Sequence, residues 1–397
     1  MARVLVTDGG ERAALAVVRS LGRAGHEVRV CAARTPSLAG ASRWARGEEA
    51  VPNALAAPAE FARAVRELVE KWKCDTLIPI SEASLLALLP EEERPPGVLL
   101  PFAEVETFRA ICDKRRVLEA AARAGIAVPR QVVLERRDDR LEIGPLAIAF
   151  PCVVKPARSV RDEGAARAKQ EVAHAADWVE LRVILDDLPE SAYPVMLQQR
   201  VVGPGVGIFL LVWDGETRAV FAHRRLREKP PSGGVSVYRE SVAPDPSLVR
   251  RARALLAAFG WRGVAMVELK VEAATGTPYL MEVNGRFWGS LQLAIDAGVD
   301  FPALLLDAAT GKPPRSAPPY RAGVRSRWWW GDVDHLLTVL RKPPARLALP
   351  PGSPGRARAA LEFAKLWRPG DRGEVLRFSD PRPAIRETLD WFRELKS

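Results

Sequence analysis

The sequence predicts a mixed protein, α/β at its start and α+β through its middle, on three observations. Residues 1 to 33 read as strand, Gly-Gly turn, helix and strand; two β-rich runs flank Asp214-Gly215; and two more strands, 263–271 and 278–283, surround the turn-like AATG. A chain of 397 residues, 48% hydrophobic and 27% charged, has the apolar material for several packed units and lacks the composition of a disordered chain.

The elements follow in order. RVLVT (3–7) is the short apolar run of a buried strand, 11–24 has helical spacing, and EVRVCA (27–32) completes a βαβ opening. A dinucleotide site there would need GxGxxG in the first turn and an acid ending the second strand; the turn is TDGGER and the strand ends in Ala32-Ala33, so the NAD pattern is missing. A helix near 58–72, a strand at 75–80 (DTLIPI) and the helix SEASLLALL carry the alternation to about residue 105, interrupted by the loop PEEERPPG (90–97). From 113, DKRRVLEAAARAGIAVP gives a helix, a stop at Gly125 and a strand after Pro129. An apolar strand (152–154) then delivers Lys155 beside a polar loop. A helix at 171–185, the strand YPVMLQQRVVG, the Asp214-Gly215 hairpin and a helix at 247–259 precede the two strands around AATG. After the Pro-rich KPPRSAPP, residues 332–341, 356–366 and 383–395 have helical spacing.

Lys and Arg number 59 against 49 Asp and Glu, a net charge of +10, but acids interleave the bases in RRDDR and RLREK and no basic arm stands out. Nucleic acid is therefore not an expected partner. Neither is a membrane, since no uncharged apolar run approaches the length of a span, and the start of the chain has no signal-peptide pattern. Cys31, Cys74, Cys112 and Cys152 are widely separated with no ligand spacing, which fits structural thiols and a reducing cytoplasm. Trp328, Trp329 and Trp330 cannot all face one way, so we expect them to pack the C-terminal segment onto the body.

The most suggestive chemistry lies in VELK and MEVNGRF. Strands joined by a short turn would set Glu268 against Glu282, and alternation keeps Asn284 on the side of Glu282. Such oxygens suit Mg²⁺, with substrate phosphates completing the shell. Arg286 follows with a fork that grips phosphate or carboxylate. The alternative is that both acids are half-exposed strand residues paired with Lys270 and Arg286.

In this order the pieces resemble the ATP-grasp superfamily of carboxylate–amine ligases, over about residues 1–311: DK(x)nGIxxP, FPxVVKP, a Gln-Gln-Arg-Val hinge, VELK and MEVNGR. The subgroup suggested is that of D-aspartate ligase and the carbamoyl phosphate synthase large subunit. The resemblance implies a pre-ATP-grasp, Rossmann-like domain (1–110), a small lobe (111–200), a large lobe (201–312) and a helical C-terminal appendage (313–397). It implies Lys114 and Lys155 on the ATP phosphates, Gln198, Gln199, Arg200 and Val201 along the adenine edge, and Glu268, Glu282 and Asn284 on Mg²⁺, or Mn²⁺ in its place. Arg286, with Lys155, would stabilise the transferring group. The loop HRRLREKPPSGGVSVYRESV resembles a substrate loop of that subgroup; His223, Arg225 and Arg227 alternate on one strand face and would suit an anion, with Gly233 and Gly234 as the mobile tip.

Two features depart from the pattern. The loop after Lys155 has one glycine, Gly164, where several are usual, and Gln199 replaces a frequent Glu. The expected activity is ATP-dependent activation of a small-molecule carboxylate as an acyl phosphate, then attack by an amine, in a protein whose candidate assembly is a homodimer. Carboxylation through carboxyphosphate and a non-catalytic ATP sensor are the alternatives.

Overall fold

The computed structural model describes residues 1–395 apart from 143, 145–147, 314–319, 344–346, 348, 350–352 and 366–367. Most of the Pro-rich connector therefore lies outside the described residues. No described helix is long and apolar enough to cross a membrane.

The chain opens with a parallel sheet in the order β3 (Ala45–Ala50), β2 (Glu27–Ala32), β1 (Arg3–Val6), β4 (Thr76–Ile78). Its apolar strands are buried, as a parallel sheet flanked by helices requires. Helix α1 (Arg12–Arg23) is buried from Ala13 to Gly22, more than an amphipathic stripe would be. The reason is tertiary: it also packs against helices Leu291–Ala297 and Phe301–Ala309 from much later in the chain. Helices α2 (Pro58–Trp72) and α3 (Glu82–Leu88) flank β4.

Helices α4 (Val105–Cys112) and α5 (Lys114–Arg123) lead into an antiparallel sheet ordered β5 (Gln131–Leu134), β10 (Val195–Gln199), β6 (Cys152–Pro156), β9 (Ala173–Ala175). Its own core includes Leu134, Val154, Leu181, Leu185, Val195 and Leu197. Beside it β7 (Val160–Glu163) and β8 (Ala166–Lys169) form a separate hairpin. The helix expected at 171–185 begins only at Trp178, because Asp177 caps it, accepting from Val179 N at 2.8 Å and Glu180 N at 3.0 Å, while 173–175 pair with β6.

The large sheet runs β15 (Pro278–Asn284), β14 (Gly263–Val271), β11 (Gly205–Trp213), β12 (Glu216–Lys229), β13 (Val235–Ser241), β16 (Arg325–Arg327), β17 (Asp371–Gly373). The β11–β12 hairpin turns at Asp214 and Gly215, both at positive φ (53° and 76°), as a two-residue turn demands. The C-terminal segment is helical at Trp329–Arg341, Arg356–Ala364 and Arg382–Glu394, and it also supplies β16 and β17 to the edge of this sheet. Of the three tryptophans only Trp328 meets the body here, whereas Trp329 and Trp330 pack within the C-terminal segment. Arg12 lies 3.7 Å over the Trp328 ring, Arg327 lies 4.0 Å over Trp329, and Trp330 stacks on Trp391 at 4.1 Å.

Candidate functional site

Strands β14 and β15 pair so that Glu268 stands directly opposite Glu282, which places both carboxylates on one face. Asn284, two residues on, shares that face, and its Nδ2 donates to Glu282 Oε1 at 3.2 Å. Arg286 donates from Nη2 to Asn284 Oδ1 (3.1 Å) and from Nη1 to the Phe287 carbonyl (3.0 Å). The four residues singled out in VELK and MEVNGR thus converge.

Two lysines reach them from other elements. Lys114 is the first residue of α5, held there by its neighbour Asp113, which caps the helix by accepting from Arg115 N (3.1 Å) and Arg116 N (3.3 Å). Its Nζ donates to Ser159 Oγ at 2.6 Å and lies 3.9 Å from Glu282 Oε2. Lys155, on β6, donates to the Met281 carbonyl at 2.9 Å. The register of β14 and β15 slips after Glu268, leaving Met281 as the extra residue of a bulge.

The two acids differ electrostatically. Burial raises the pKa of Glu268 by more than Arg225 lowers it, and Glu282 adds to the rise. Burial acts the same way on Glu282, but Lys114, Lys155, the Asn284 hydrogen bond and Arg286 outweigh it and hold this carboxyl well below the usual range. Lys155 is shifted down by burial, partly offset by Glu282. Neither acid is ion-paired with Lys270 among the described residues; the partner of Glu268 is Arg225, at 2.7 Å.

The stretch Gln198 to Val201 lies where β10 hands the chain to β11, between the two antiparallel sheets. Gln198 Nε2 donates to Gln131 Oε1 at 2.7 Å, Gln199 N donates to the Arg130 carbonyl at 2.8 Å, and Val201 is buried. The single-glycine loop after Lys155 forms the β7–β8 hairpin, with Gly164 at φ 63° in its turn.

The expected basic face of His223, Arg225 and Arg227 is corrected. Irregularities between Arg225 and Glu228 break the alternation, the two arginines are already ion-paired, and the histidine is buried. His223 is 1% exposed against the Phe209 ring, and burial, then Arg225 and Arg239, push its pKa well below the usual imidazole value. Arg227 forms a forked pair with Asp332 (2.6 Å to each oxygen). Arg225 joins the acid pair instead: it grips Glu268, Glu228 (2.9 Å) and the Gly234 carbonyl (3.0 Å), tying the loop tip to the site. Glycine is needed at 234, where a Cβ would meet the Lys229 carbonyl oxygen at 2.4 Å, and Gly233 lies beside Lys270, whose Nζ would be 3.2 Å from an added Cβ.

Sequence reasoning missed Glu82 and Ser159. Glu82 opens α3, and the charges that act on it are those of Arg286, Lys114 and Glu282. One signal could have found it: an acid just past the carboxyl end of a parallel strand, where open α/β sheets bind ligands. Ser159 carried no signal beyond its closeness to Lys155.

Residues 191–331 match the family described as ATP-grasp in the biosynthetic pathway with Ter operon. No curated protein matches the sequence. Among solved structures, an L-amino acid ligase from Bacillus licheniformis aligns at 18% identity over 80% of this chain and 77% of its own, with a TM-score of 0.60. N5-carboxyaminoimidazole synthetase from Staphylococcus aureus aligns at 14% identity over 80% of each chain, TM-score 0.59. The biotin carboxylase domain of 2-oxoglutarate carboxylase from Hydrogenobacter thermophilus, solved with MgADP, ADP and bicarbonate, aligns at 14% identity over 82% of this chain and 73% of its own, TM-score 0.60. The shared architecture gives this chain an ATP-grasp fold, and the part of it that matches an ATP-grasp family model includes the strands that carry Glu268 and Glu282.

Proposed function

We propose that the protein is an ATP-dependent ligase that activates a substrate carboxylate as an acyl phosphate and passes the acyl group to an amine. One observation carries the reading: Glu268 and Glu282 are opposed across β14 and β15, with Lys114, Lys155, Asn284 and Arg286 converging on them. No nucleophilic side chain is required, because phosphoryl transfer of this kind depends on positioning and charge neutralisation.

The donor set fits a hard divalent cation. Two carboxylates and an amide oxygen are hard ligands, and Glu282 is held ionised by its surroundings. Glu268, Glu282 and Asn284 would hold Mg²⁺ or Mn²⁺, which would supply positive charge to offset that of the phosphates. Asn284 would then exchange its contact with Arg286 for the ion, freeing that guanidinium for the substrate.

ATP would lie between the two antiparallel sheets, its adenine edge along Gln198–Val201. Lys155 would reach its phosphates from the small sheet and Lys114 from the N-terminus of α5, both as mobile point charges. A carboxylate oxygen of the substrate attacks the γ-phosphorus, and the bond to the ADP oxygen breaks. The amine nitrogen then attacks the acyl carbon, and phosphate leaves, with Arg286 placed to bind the oxygens whose charge grows. The loop that ends in Gly233 and Gly234, anchored through Arg225 to Glu268, would keep water from the acyl phosphate.

The test is ADP release from the full-length protein with ATP, Mg²⁺ and the proteinogenic amino acids, singly and in pairs, with products read by mass spectrometry. Amine-dependent ADP release with a condensed product supports the reading. Release that depends only on bicarbonate assigns carboxylation instead, and thermal stabilisation by ATP with no ADP from any combination assigns a sensor.

A further inference from the structure

Two arginines lie on one face of α1, seven residues apart, and they are used differently. Arg19 is fully committed to the C-terminal segment: Nε donates to Asp380 Oδ2 (2.9 Å), Nη1 to the Glu374 carbonyl (3.2 Å), and Nη2 to the carbonyls of Val375 (2.9 Å) and Asp380 (3.1 Å). Arg12 is committed on one edge alone. Its Nη1 donates to Glu374 Oε2 at 2.7 Å, its guanidinium carbon lies 3.7 Å from the centre of the Trp328 ring, and among the described residues no hydrogen-bond partner meets Nε or Nη2. Docking of the C-terminal segment already has a saturated arginine, and Arg12 keeps half of its fork free.

That free edge is kept clear, and it lies near the site. A Cβ at Gly289 would stand 3.1 Å from Arg12 Nη2, so a side chain there would crowd it. Gly289 is on the turn that follows β15, where Arg286 Nη1 is held at the Phe287 carbonyl (3.0 Å). Two residues of chain span at most about 7 Å, so both guanidiniums border one short turn. The charges point the same way. Arg12 and the fully buried Arg239 share the single carboxylate of Glu374, which leaves one positive charge in excess. Glu387 does not supply the balance in full: it accepts from Trp328 Nε1 at 2.7 Å, and burial pushes its carboxyl up to about 7. A guanidinium that is 11% exposed and lacks a full counter-charge favours an anion beside it.

We infer that Arg12 anchors an oxyanion of a substrate, a carboxylate or a phosphate, so that at least one of the two substrates carries such a group besides the carboxylate that is activated. The inference rests on the ligase reading above. Nε and Nη2 form the forked edge that two oxygens of one carboxylate or phosphate match, while the Trp328 ring and the Glu374 contact hold that fork in one orientation. Trp328 and Glu374 both belong to the C-terminal segment, which thereby takes part in substrate choice. In this role Arg12 meets the anion and not the reacting atoms, so its effect falls on KM.

The experiment compares full-length wild type, R12Q and R12K with ATP, Mg²⁺ and substrates offered in matched pairs: aspartate and asparagine, glutamate and glutamine, O-phosphoserine and serine, alanine and alaninamide. ADP release is read at varied substrate concentration. Wild type should favour the member that carries the anion, and in R12Q that preference should fall by ~30-fold or more, through KM, since a charge-assisted fork is lost. R12K keeps the charge without the fork and should recover part of it. Loss confined to O-phosphoserine assigns a phosphate, and loss across the carboxylate pairs assigns a carboxylate. Binding is read separately, with Mg²⁺ and the non-hydrolysable AMP-PNP present to fill the nucleotide site. The same anions should raise the wild-type unfolding midpoint, and R12Q, measured against its own midpoint, should lose that rise. If R12Q does not fold, R12K decides both readings. A preference and a rise that are the same in wild type and variants overturn the inference, as does a wild type that shows neither. A wild type that releases no ADP with any substrate sinks the ligase reading, and the midpoints alone then decide the subsite.

Discussion

Glu268 and Glu282 stand directly opposite one another, yet each answers to a different cation: Arg225 holds Glu268 at 2.7 Å, and Lys114 stands 3.9 Å from Glu282. Two carboxylates on one face repel, so each needs its own compensation in a ligand-free protein. The Glu282 partners come from two other elements, α5 and β6, whereas Arg225 comes from the same sheet as Glu268. Glu282 is thus the acid through which the separate parts of the site are electrostatically joined.

Glu282→Gln should therefore remove most ATP turnover while leaving the fold in place. Losing one ionised metal ligand should raise the barrier by several kcal/mol, and each ~1.4 kcal/mol is about tenfold in rate. ADP release and an unfolding midpoint measured together decide it. Turnover within about tenfold of wild type, from a folded variant, would remove Glu282 from the metal ligands.

Lys155→Met separates binding from stability. Burial disfavours the charged amine, and among the described residues it donates to the Met281 carbonyl. A methionine of similar length removes a desolvated charge but also one of the cations that compensate the buried Glu282, so the unfolding midpoint without nucleotide should fall. The stabilisation that ATP gives wild type should fall, because ligand binding stabilises in proportion to affinity. Equal ATP-induced shifts in the two proteins would take Lys155 off the phosphates.

Gly203→Ala tests the passage from β10 to β11. A Cβ at 203 would come within 1.8 Å of the Val271 carbonyl oxygen, a backbone atom at the end of β14 that cannot turn aside. The clash should displace the chain just beyond Gln198–Val201, so nucleotide affinity should fall by more than stability does. Unchanged ATP affinity would place the nucleotide away from this passage.

What the sequence revealed of the site follows from how local each signal was. Glu268, Glu282 and Asn284 could be grouped because β14, a short turn and β15 are consecutive, and alternation determines their faces. Arg225 could not be assigned to Glu268, because the irregularities that break alternation after it leave no mark in HRRLREK. The strands β16 and β17 are three residues each, too short to show a period, and they exist because the edge of the large sheet offers them a partner. Glu82 was hidden for a third reason. The charges that act on it, those of Arg286, Lys114 and Glu282, come from other elements, which no window of sequence contains.

A different contact, that of the C-terminal segment with α1, makes a prediction about acid. Asp380 and Arg19 are 0% and 1% exposed and pair at 2.9 Å, joining the C-terminal segment to α1. Ser42 Oγ and Arg43 N also donate to this carboxylate, at 2.7 and 2.9 Å. Burial raises the Asp380 pKa, but the Arg43 amide, Arg19 and Ser42 together outweigh it, and the folded value lies below that of a free aspartate. A depressed carboxyl stabilises the fold fully above its unfolded pKa, about 4, and the contribution is lost as pH falls from there through the lower folded value. Asp380→Asn leaves Arg19 buried without its counter-charge, which should cost about 3–5 kcal/mol at neutral pH. Unfolding midpoints of wild type and variant should therefore lie far apart at pH 7 and draw together only as the pH falls below about 4. A gap that stays constant through that range would mean that the aspartate holds α1 by its shape and not by its charge.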